Sequence, residues 1–227
     1  MKGFLMGLGI LCCIVAVTLS ADSQTKFDVG LRVGMNLGTA SFDPDVYPIS
    51  NGTTKTGRTG FMVGGIAQLE FARMFAVEIS PTFVLKGGGY QGSDGGTDVA
   101  KYSELDFPIL FKVIFLQGRF RPYGFAGPNL GIMLSATRSA APAQGQSQDI
   151  DIKSGTSGID FSLDFGGGCE FEVVKNIGLF LDARYSLGLS NLNSPASPNN
   201  QQQAQGQTAP SIKANGFQIM IGSLYHI

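Results

Sequence analysis

Long segments of this sequence alternate between apolar and polar residues. Between Phe27 and Leu37 all six odd positions are large and apolar, whereas the even positions hold only Asp, Gly, Arg and Asn. A period of two places successive side chains on opposite faces of a β-strand. The same alternation recurs at 75–86, 159–166, 177–187 and 217–221. The pattern predicts a chain built from strands that have one apolar face and one polar face.

Three further segments, 59–71, 102–113 and 122–134, alternate less regularly. In the last of them the apolar parity changes near Gly127 and Pro128, which predicts a β-bulge. The total is eight strands, most of them 10–13 residues long. Strands of soluble proteins are typically about five or six residues long, whereas a strand that crosses a membrane needs about 9–11. Strand length therefore favours a sheet that spans a membrane.

The connections between these segments alternate between short and long. Short links are expected at 72–74, 116–119 and 174–176, and long polar links at 39–57, 87–99, 136–157 and 190–213. Short periplasmic turns and long outer loops are typical of outer-membrane barrels. We therefore predict an all-β, eight-stranded antiparallel up-and-down transmembrane β-barrel with both termini in the periplasm. The last link is rich in Asn and Gln at 199–203 and is expected to be disordered.

The composition of the two faces indicates which of them meets water. The polar face of a soluble barrel would carry many Lys and Glu residues, but here it is mostly Gly, Ser, Thr and Asn with a limited set of charges. Small polar residues suit the narrow interior of an eight-stranded barrel, and bulky apolar residues suit contact with acyl chains. The 32 glycines, about twice the usual share of roughly 7%, suit strands that curve tightly. A soluble secreted binding barrel is the less favoured alternative.

Residues 1–21 predict a cleaved signal peptide. Lys2 is followed by an apolar or small stretch at 4–19 and by small residues at 20 and 21, which is the pattern of a secretory signal. The stretch is shorter than the roughly 20 residues that a membrane-spanning helix needs. Residues 22–227 are then expected to form the barrel domain in the bacterial outer membrane. Cys169 would be its only cysteine, so no disulfide within the chain is expected.

Four segments resemble the PorT-like group of outer-membrane β-barrel proteins, which is common in the Bacteroidetes. Gly30–Leu37 resembles the opening strand of that group, and Leu105–Lys112 is similar to its segment of an acidic residue, a proline and an apolar run closed by lysine. Arg121–Pro128 and Leu181–Leu189 resemble later strands. The resemblance spans 27–227 and implies an outer-membrane barrel. A few members of the group are implicated in secretion or assembly at the outer membrane.

The sequence contains no recognisable site for catalysis, a metal or a cofactor, so we predict a non-enzyme. Its one histidine, His226, ends the last strand and is interpreted as a solvated tip, because Ser223 lies on the opposite face and no serine–histidine pair is expected. One histidine and one cysteine are too few for a zinc site. The glycine runs at 87–89 and 166–168 lack the partners of a phosphate loop and are interpreted as a loop mouth and a curved strand.

Partners are suggested only in general terms. Residues Asp94–Asp98 lack the ligand spacing of a calcium loop and are interpreted as a plain turn. The net charge of −1 gives no basic footprint for nucleic acid, so nucleic acid is not among the expected partners. The expected partners are outer-membrane lipid, unidentified envelope proteins and the outer-membrane assembly machinery, which reads the alternating last strand. That strand ends in Ile227 rather than the usual Phe.

Twelve charged residues are expected to point into the barrel: Arg32, Glu70, Glu78, Lys86, Glu104, Asp106, Lys112, Asp160, Asp164, Glu170, Asp182 and Arg184. Buried charges need partners or solvent. We predict a lumen charge network centred on Arg32, Glu78, Lys112, Asp164, Asp182 and Arg184. A barrel filled in this way would have a structural, interaction or assembly role. The alternative function is a narrow, porin-like channel for ions or small solutes, with a preference for cations because carboxylates outnumber bases.

The signal segment leads to a first prediction. Protein extracted from the outer membrane should begin at Ala21 or Asp22, because export removes the apolar segment before it. Intact-mass measurement of the extracted protein tests this directly. A mass that includes residues 1–21 would show that the segment is retained.

Overall fold

The computed structural model describes residues 25–43, 54–193 and 211–227. The predicted signal peptide and the Asn- and Gln-rich stretch at 199–203 lie outside the described residues. The strands are β1 (Lys26–Asp43), β2 (Thr54–Phe71), β3 (Phe75–Ile79), β4 (Thr82–Gln91), β5 (Thr97–Ile114), β6 (Phe120–Ala141), β7 (Gln148–Asp151), β8 (Ile159–Val174), β9 (Ile177–Gly188) and β10 (Ser211–His226). One 3₁₀ turn follows β7 at Lys153–Gly155.

The strands close into an antiparallel ring with eight positions. The order around the ring is β1, β2, β3 with β4, β5, β6, β8, β9 and β10. β10 pairs with β1 from Asp28↔His226 to Asp43↔Ser211, which completes the ring. The predicted eight-stranded antiparallel barrel is thereby confirmed. Both described chain ends lie at one end of the barrel, the terminal end, and the opposite end is called the loop end.

No helix among the described residues is long and apolar enough to cross a membrane.

The third position in the ring is interrupted where the sequence has a proline. β3 ends at Ile79 and β4 begins at Thr82, so Ser80 and Pro81 separate them. Proline has no N–H to donate to a strand ladder. The carbonyl of Pro81 still accepts a hydrogen bond from the Gly65 N–H at 3.0 Å. The sheet therefore stays continuous, although the sequence pattern predicted one uninterrupted strand at 75–86.

Several strands are longer than the sequence pattern predicted, and they extend past the apolar segments at the loop end. β1, β2 and β5 each have 18 residues and β6 has 22. The expected long link at 87–99 is mostly strand, because β4 continues to Gln91 and β5 begins at Thr97. The glycines at 87–89 therefore lie in β4, and their interpretation as a loop mouth was wrong. Those at 166–168 lie in β8, as expected.

The predicted bulge at Gly127 and Pro128 is also wrong. β6 pairs with β8 without a shift through Gly127↔Asp164 and Pro128↔Leu163. The irregularity lies further along β6, where β5 pairs Ser103 with Ser135 but Glu104 with Met133. The sequence misled because Tyr123 and Phe125, which are apolar in character, face the lumen.

The outer wall of the barrel is an apolar belt that runs around the whole ring. Large apolar side chains are exposed at every second position, as at Leu31, Val33 and Met35 on β1 and at Leu179 and Leu181 on β9. Beyond this belt β5 and β6 stay paired as far as Thr97↔Ala141, and β7 pairs with β6 through Thr137↔Asp151. The belt has the properties of a surface in contact with acyl chains, since water would disfavour so large an exposed apolar area.

Two equally exposed residues test this assignment of the outer wall. Leu181, in the belt, and Ile150, on β7 beyond it, are both 49% exposed. Leu181→Arg should lower the free energy of unfolding in lipid vesicles by about 2–4 kcal/mol, because an arginine there enters hydrocarbon. Ile150→Arg should leave it nearly unchanged. Urea titrations of both variants provide the measurement, and equal losses would contradict the position of the belt.

Candidate functional site

The inner wall of the barrel holds the charged residues. All twelve charged residues expected inside are buried, as are Asp28 and Arg121. They project inward because they share one parity along each strand, opposite to that of the belt. Burial of this many charges is tolerated only where each has a partner. The contacts between them define three clusters and one separate pair along the lumen.

The central cluster is built on Glu78 of β3. Its Oε1 atom accepts a hydrogen bond from Arg32 of β1, and its Oε2 atom forms a salt bridge with Lys112 of β5. The side chains of Arg32 and Glu78 are completely buried. One carboxylate thus joins two cations from two other strands across the inside of the ring.

Aromatic rings fill the space beside these cations. Arg32 lies over the ring of Phe180, with 5.7 Å from its Cζ atom to the ring centroid, and Lys112 Nζ lies 4.5 Å from the centroid of Tyr123. Cations at such distances are attracted by the negative faces of aromatic rings. The Tyr123 hydroxyl donates a hydrogen bond to Asp182. This ring therefore links Asp182 to the central cluster.

The two remaining residues of the predicted network form a separate pair. Arg184 Nη1 donates to Asp164 Oδ2 at 3.3 Å, and the Arg184 guanidinium lies 5.4 Å from the centroid of Phe125. The structure thus places all six predicted residues in the lumen. It brings Arg32, Glu78 and Lys112 into direct contact and connects Asp182 through Tyr123.

A second cluster lies nearer the loop end, where Lys86 of β4 contacts three carboxylates. Its Nζ atom is 2.7 Å from Glu104 Oε2, 3.0 Å from Asp106 Oδ2 and 3.6 Å from Asp160 Oδ2. Asn129 Nδ2 also donates to Asp106 Oδ2 at 3.1 Å. Gly131 leaves room for this cluster, since a Cβ atom there would lie 2.8 Å from Glu104 Oε2 and 2.9 Å from Asp106 Oδ1.

The third cluster closes the terminal end and includes His226. The Nδ1 atom of His226 is 2.8 Å from Asp28 Oδ1 and its Nε2 atom is 3.1 Å from Glu170 Oε1. Arg121 contacts Glu70 and, at 3.4 Å, Glu170. The interpretation of His226 as a solvated tip is therefore wrong. It bridges the first strand and β8 at the seam where the ring closes.

Apolar side chains occlude the lumen between and beyond these clusters. At the loop end Leu192 is buried against Tyr102, Met133, Ala136 and Ala214. Elsewhere the inward glycines leave no open space. A Cβ atom would lie 2.8 Å from Leu224 Cδ2 at Gly30, 2.8 Å from Met220 Cγ at Gly34 and 2.7 Å from Glu170 Oε1 at Gly178.

The sequence pattern missed Arg121, Tyr123, Phe125 and the bridging role of His226. Arg121, Tyr123 and Phe125 share the odd parity of Asn129 and Met133 on β6. A single inward parity carried from 121 to 133 would have placed them inside. No signal in the sequence could have given the contacts of His226, since these depend on how the ring closes. Within the described residues no group of His, Cys, Asp and Glu side chains is arranged to hold a metal ion.

Comparisons with known proteins agree with this architecture. Residues 21–194 match the family model described as "Outer membrane protein beta-barrel domain". The outer membrane protein OprG from Pseudomonas aeruginosa is similar in fold, with 16% sequence identity, a TM-score of 0.51, and coverage of 88% of this chain and 95% of that one. A search of curated proteins found no match.

Two further solved structures are similar at lower scores. Neisserial surface protein A has 12% identity and a TM-score of 0.46, and the alignment covers 89% of this chain and 99% of that one. The attachment invasion locus protein Ail of Yersinia pestis has 18% identity and a TM-score of 0.40, with coverage of 88% and 98%.

The sharing of Glu78 between two cations leads to a prediction about stability. Glu78→Gln should lower the free energy of unfolding by about 3–5 kcal/mol, because it leaves Arg32 and Lys112 buried beside each other without a carboxylate. Lys112→Met should cost less than half as much, since Glu78 still pairs with Arg32. Urea titration in lipid vesicles measures both.

The matched control is Glu172→Gln, a half-buried carboxyl group of β8 near the terminal end. It should change the free energy of unfolding by no more than about 0.5 kcal/mol. If Lys112→Met were as costly as Glu78→Gln, Glu78 would not be the centre of the cluster.

Proposed function

The chain belongs to the outer membrane protein β-barrel domain family, and from that premise we propose that it is a closed, non-catalytic barrel with a structural or interaction role. The observation that carries this proposal is the central cluster. Arg32, Glu78 and Lys112 come from three different strands and meet inside the ring. Separating them to open a path would leave buried charges without partners, at a cost of several kcal/mol each.

The absence of an enzymatic role is part of the proposal. The chain has a single histidine, and both ring nitrogens of His226 contact carboxylates. A general base needs one nitrogen directed at a nucleophile or a substrate. The contacts of His226 instead support a structural role, in which it joins β10 to β1 and β8.

The loop end is the part of the barrel that we propose as the platform for interactions. Here β5, β6 and β7 form a three-stranded sheet beyond the apolar belt. From Ser135 to Ala141 this extension of β6 adds roughly 20 Å along the strand. Ordered strands beyond the membrane surface present side chains in fixed positions, which suits recognition of an envelope protein.

The orientation and the finer family assignment are also proposals. The connections at the terminal end are short, with only residues 72–74, 115–119 and 175–176 between strands, which supports a periplasmic location for both termini. The strands at Gly30–Leu37 and Leu105–Lys112 support membership of the PorT-like group. That membership would suggest a role in secretion or assembly at the outer membrane.

One observation favours the second candidate function, a narrow channel for ions or small solutes. Among the described residues several buried polar atoms have no hydrogen-bond partner in the protein, including Nε and Nη2 of Arg184, Oδ1 of Asp164 and Oε1 of Gln218. Groups of this kind are usually satisfied by ordered water. A chain of water molecules along β8–β10 would provide a polar path past the central cluster.

Planar-bilayer recording distinguishes the two functions. Purified protein should give no stable unitary current at neutral pH, because the paired charges and the apolar cluster around Leu192 fill the lumen. Insertion is verified in the same membranes by resistance of the belt to protease, and a large porin added afterwards shows that the bilayer reports conductance. Stable currents whose ion selectivity shifts in Glu78→Gln or Arg184→Gln would overturn the closed-barrel proposal.

A further inference from the structure

At the terminal end, the start of β1 and each of the three strand connections carry one exposed basic residue. Lys26 begins β1, Arg73 lies in the β2–β3 turn, Arg119 ends the β5–β6 turn and Lys175 lies in the β8–β9 turn. All four are exposed. We call these four residues the basic rim. Because the connections alternate with the strands around the ring, the four charges are spread over the whole circumference.

No acidic side chain lies in the three turns of this end. Among the described side chains, the carboxyl groups nearby belong to Asp28, Glu70 and Glu170, which are buried in the lumen, and to the half-buried Glu172. The described carboxylates at this end therefore face the lumen, where Arg121 and His226 contact them. The four cations of the basic rim face outward around its edge.

Each basic residue also adjoins an exposed apolar side chain. Phe27 follows Lys26, Met74 follows Arg73, Phe120 follows Arg119 and Val174 precedes Lys175; these apolar residues are 44%, 48%, 52% and 54% exposed. A basic side chain beside a large apolar one suits the boundary of a membrane, where the apolar group meets acyl chains and the long cationic chain extends to the headgroups.

From these observations we propose that the basic rim binds the headgroups of anionic phospholipids in the leaflet at the terminal end. The attraction of a basic side chain to an anionic membrane surface falls off within a Debye length. The rim residues lie beside the belt and so remain within that distance. Four such sites around the ring would enrich anionic lipid in the shell of lipid that surrounds the barrel.

The sequence contains no tryptophan, so one introduced tryptophan reports on one location. Phe120→Trp places the reporter next to Arg119, at the terminal end of the belt. Phe61→Trp places a matched reporter at the loop end of the belt on β2, where Phe61 is 55% exposed. Each protein is reconstituted in phosphatidylcholine vesicles that contain acyl-chain-brominated phosphatidylglycerol or brominated phosphatidylcholine. The ratio of quenching gives the preference for the anionic lipid.

The reporter at position 120 should show a preference of about threefold or more for phosphatidylglycerol, and the reporter at 61 a ratio near one. Neutralising the rim with Lys26→Gln, Arg73→Gln, Arg119→Gln and Lys175→Gln should bring the ratio at 120 to about one, as should high salt. Correct folding of this variant is checked by its heat-dependent mobility in gel electrophoresis. A quenching ratio near one at position 120 with the rim unaltered would overturn the proposal and would favour an acidic protein partner instead. A preference for phosphatidylglycerol that survives neutralisation of the rim would also overturn it.

Discussion

The closure of β10 onto β1 is the interaction on which the rest of the structure depends. Hydrocarbon offers no hydrogen-bond partner to a backbone N–H or C=O group, and each unsatisfied group costs several kcal/mol. A sheet with a free edge could not remain in that environment. The ladder from Asp28↔His226 to Asp43↔Ser211 removes the edge, and His226 adds a side-chain contact across it to Asp28.

Closure also determines what the interior has to contain. Eight strands enclose a space that is just wide enough for side chains, and the apolar positions are already used by the outer wall. The inner positions therefore carry polar and charged residues that have to neutralise one another. Glu78 between Arg32 and Lys112, and Lys86 among three carboxylates, are the result. Aromatic rings such as Tyr123 and inward glycines such as Gly131 adjust the volume around them.

The sequence was sufficient to predict the ring, because alternation between two faces is imposed on every strand by lipid outside and a polar lumen inside. It was less informative where a residue breaks that rule. Tyr123 and Phe125 are aromatic residues that face the lumen, and because of them the pattern predicted the bulge several residues too early in β6. Pro81 divides a strand that the pattern treated as continuous. The partners of the inward charges depend on the stagger between strands that are distant in sequence. Alternation placed Lys86 inside the barrel but gave no indication that Glu104, Asp106 and Asp160 surround it.

Backbone amide hydrogen exchange of the protein in lipid nanodiscs tests the closed ring most directly. If β10 closes onto β1, amides at 29–37 and 217–225 should exchange as slowly as those at 163–171 in the β8–β9 ladder, since both ladders lie within the belt and open only when the barrel unfolds. Rapid exchange along β1 and β10 while β8 and β9 remain protected would show an open sheet and would contradict the account of a closed barrel.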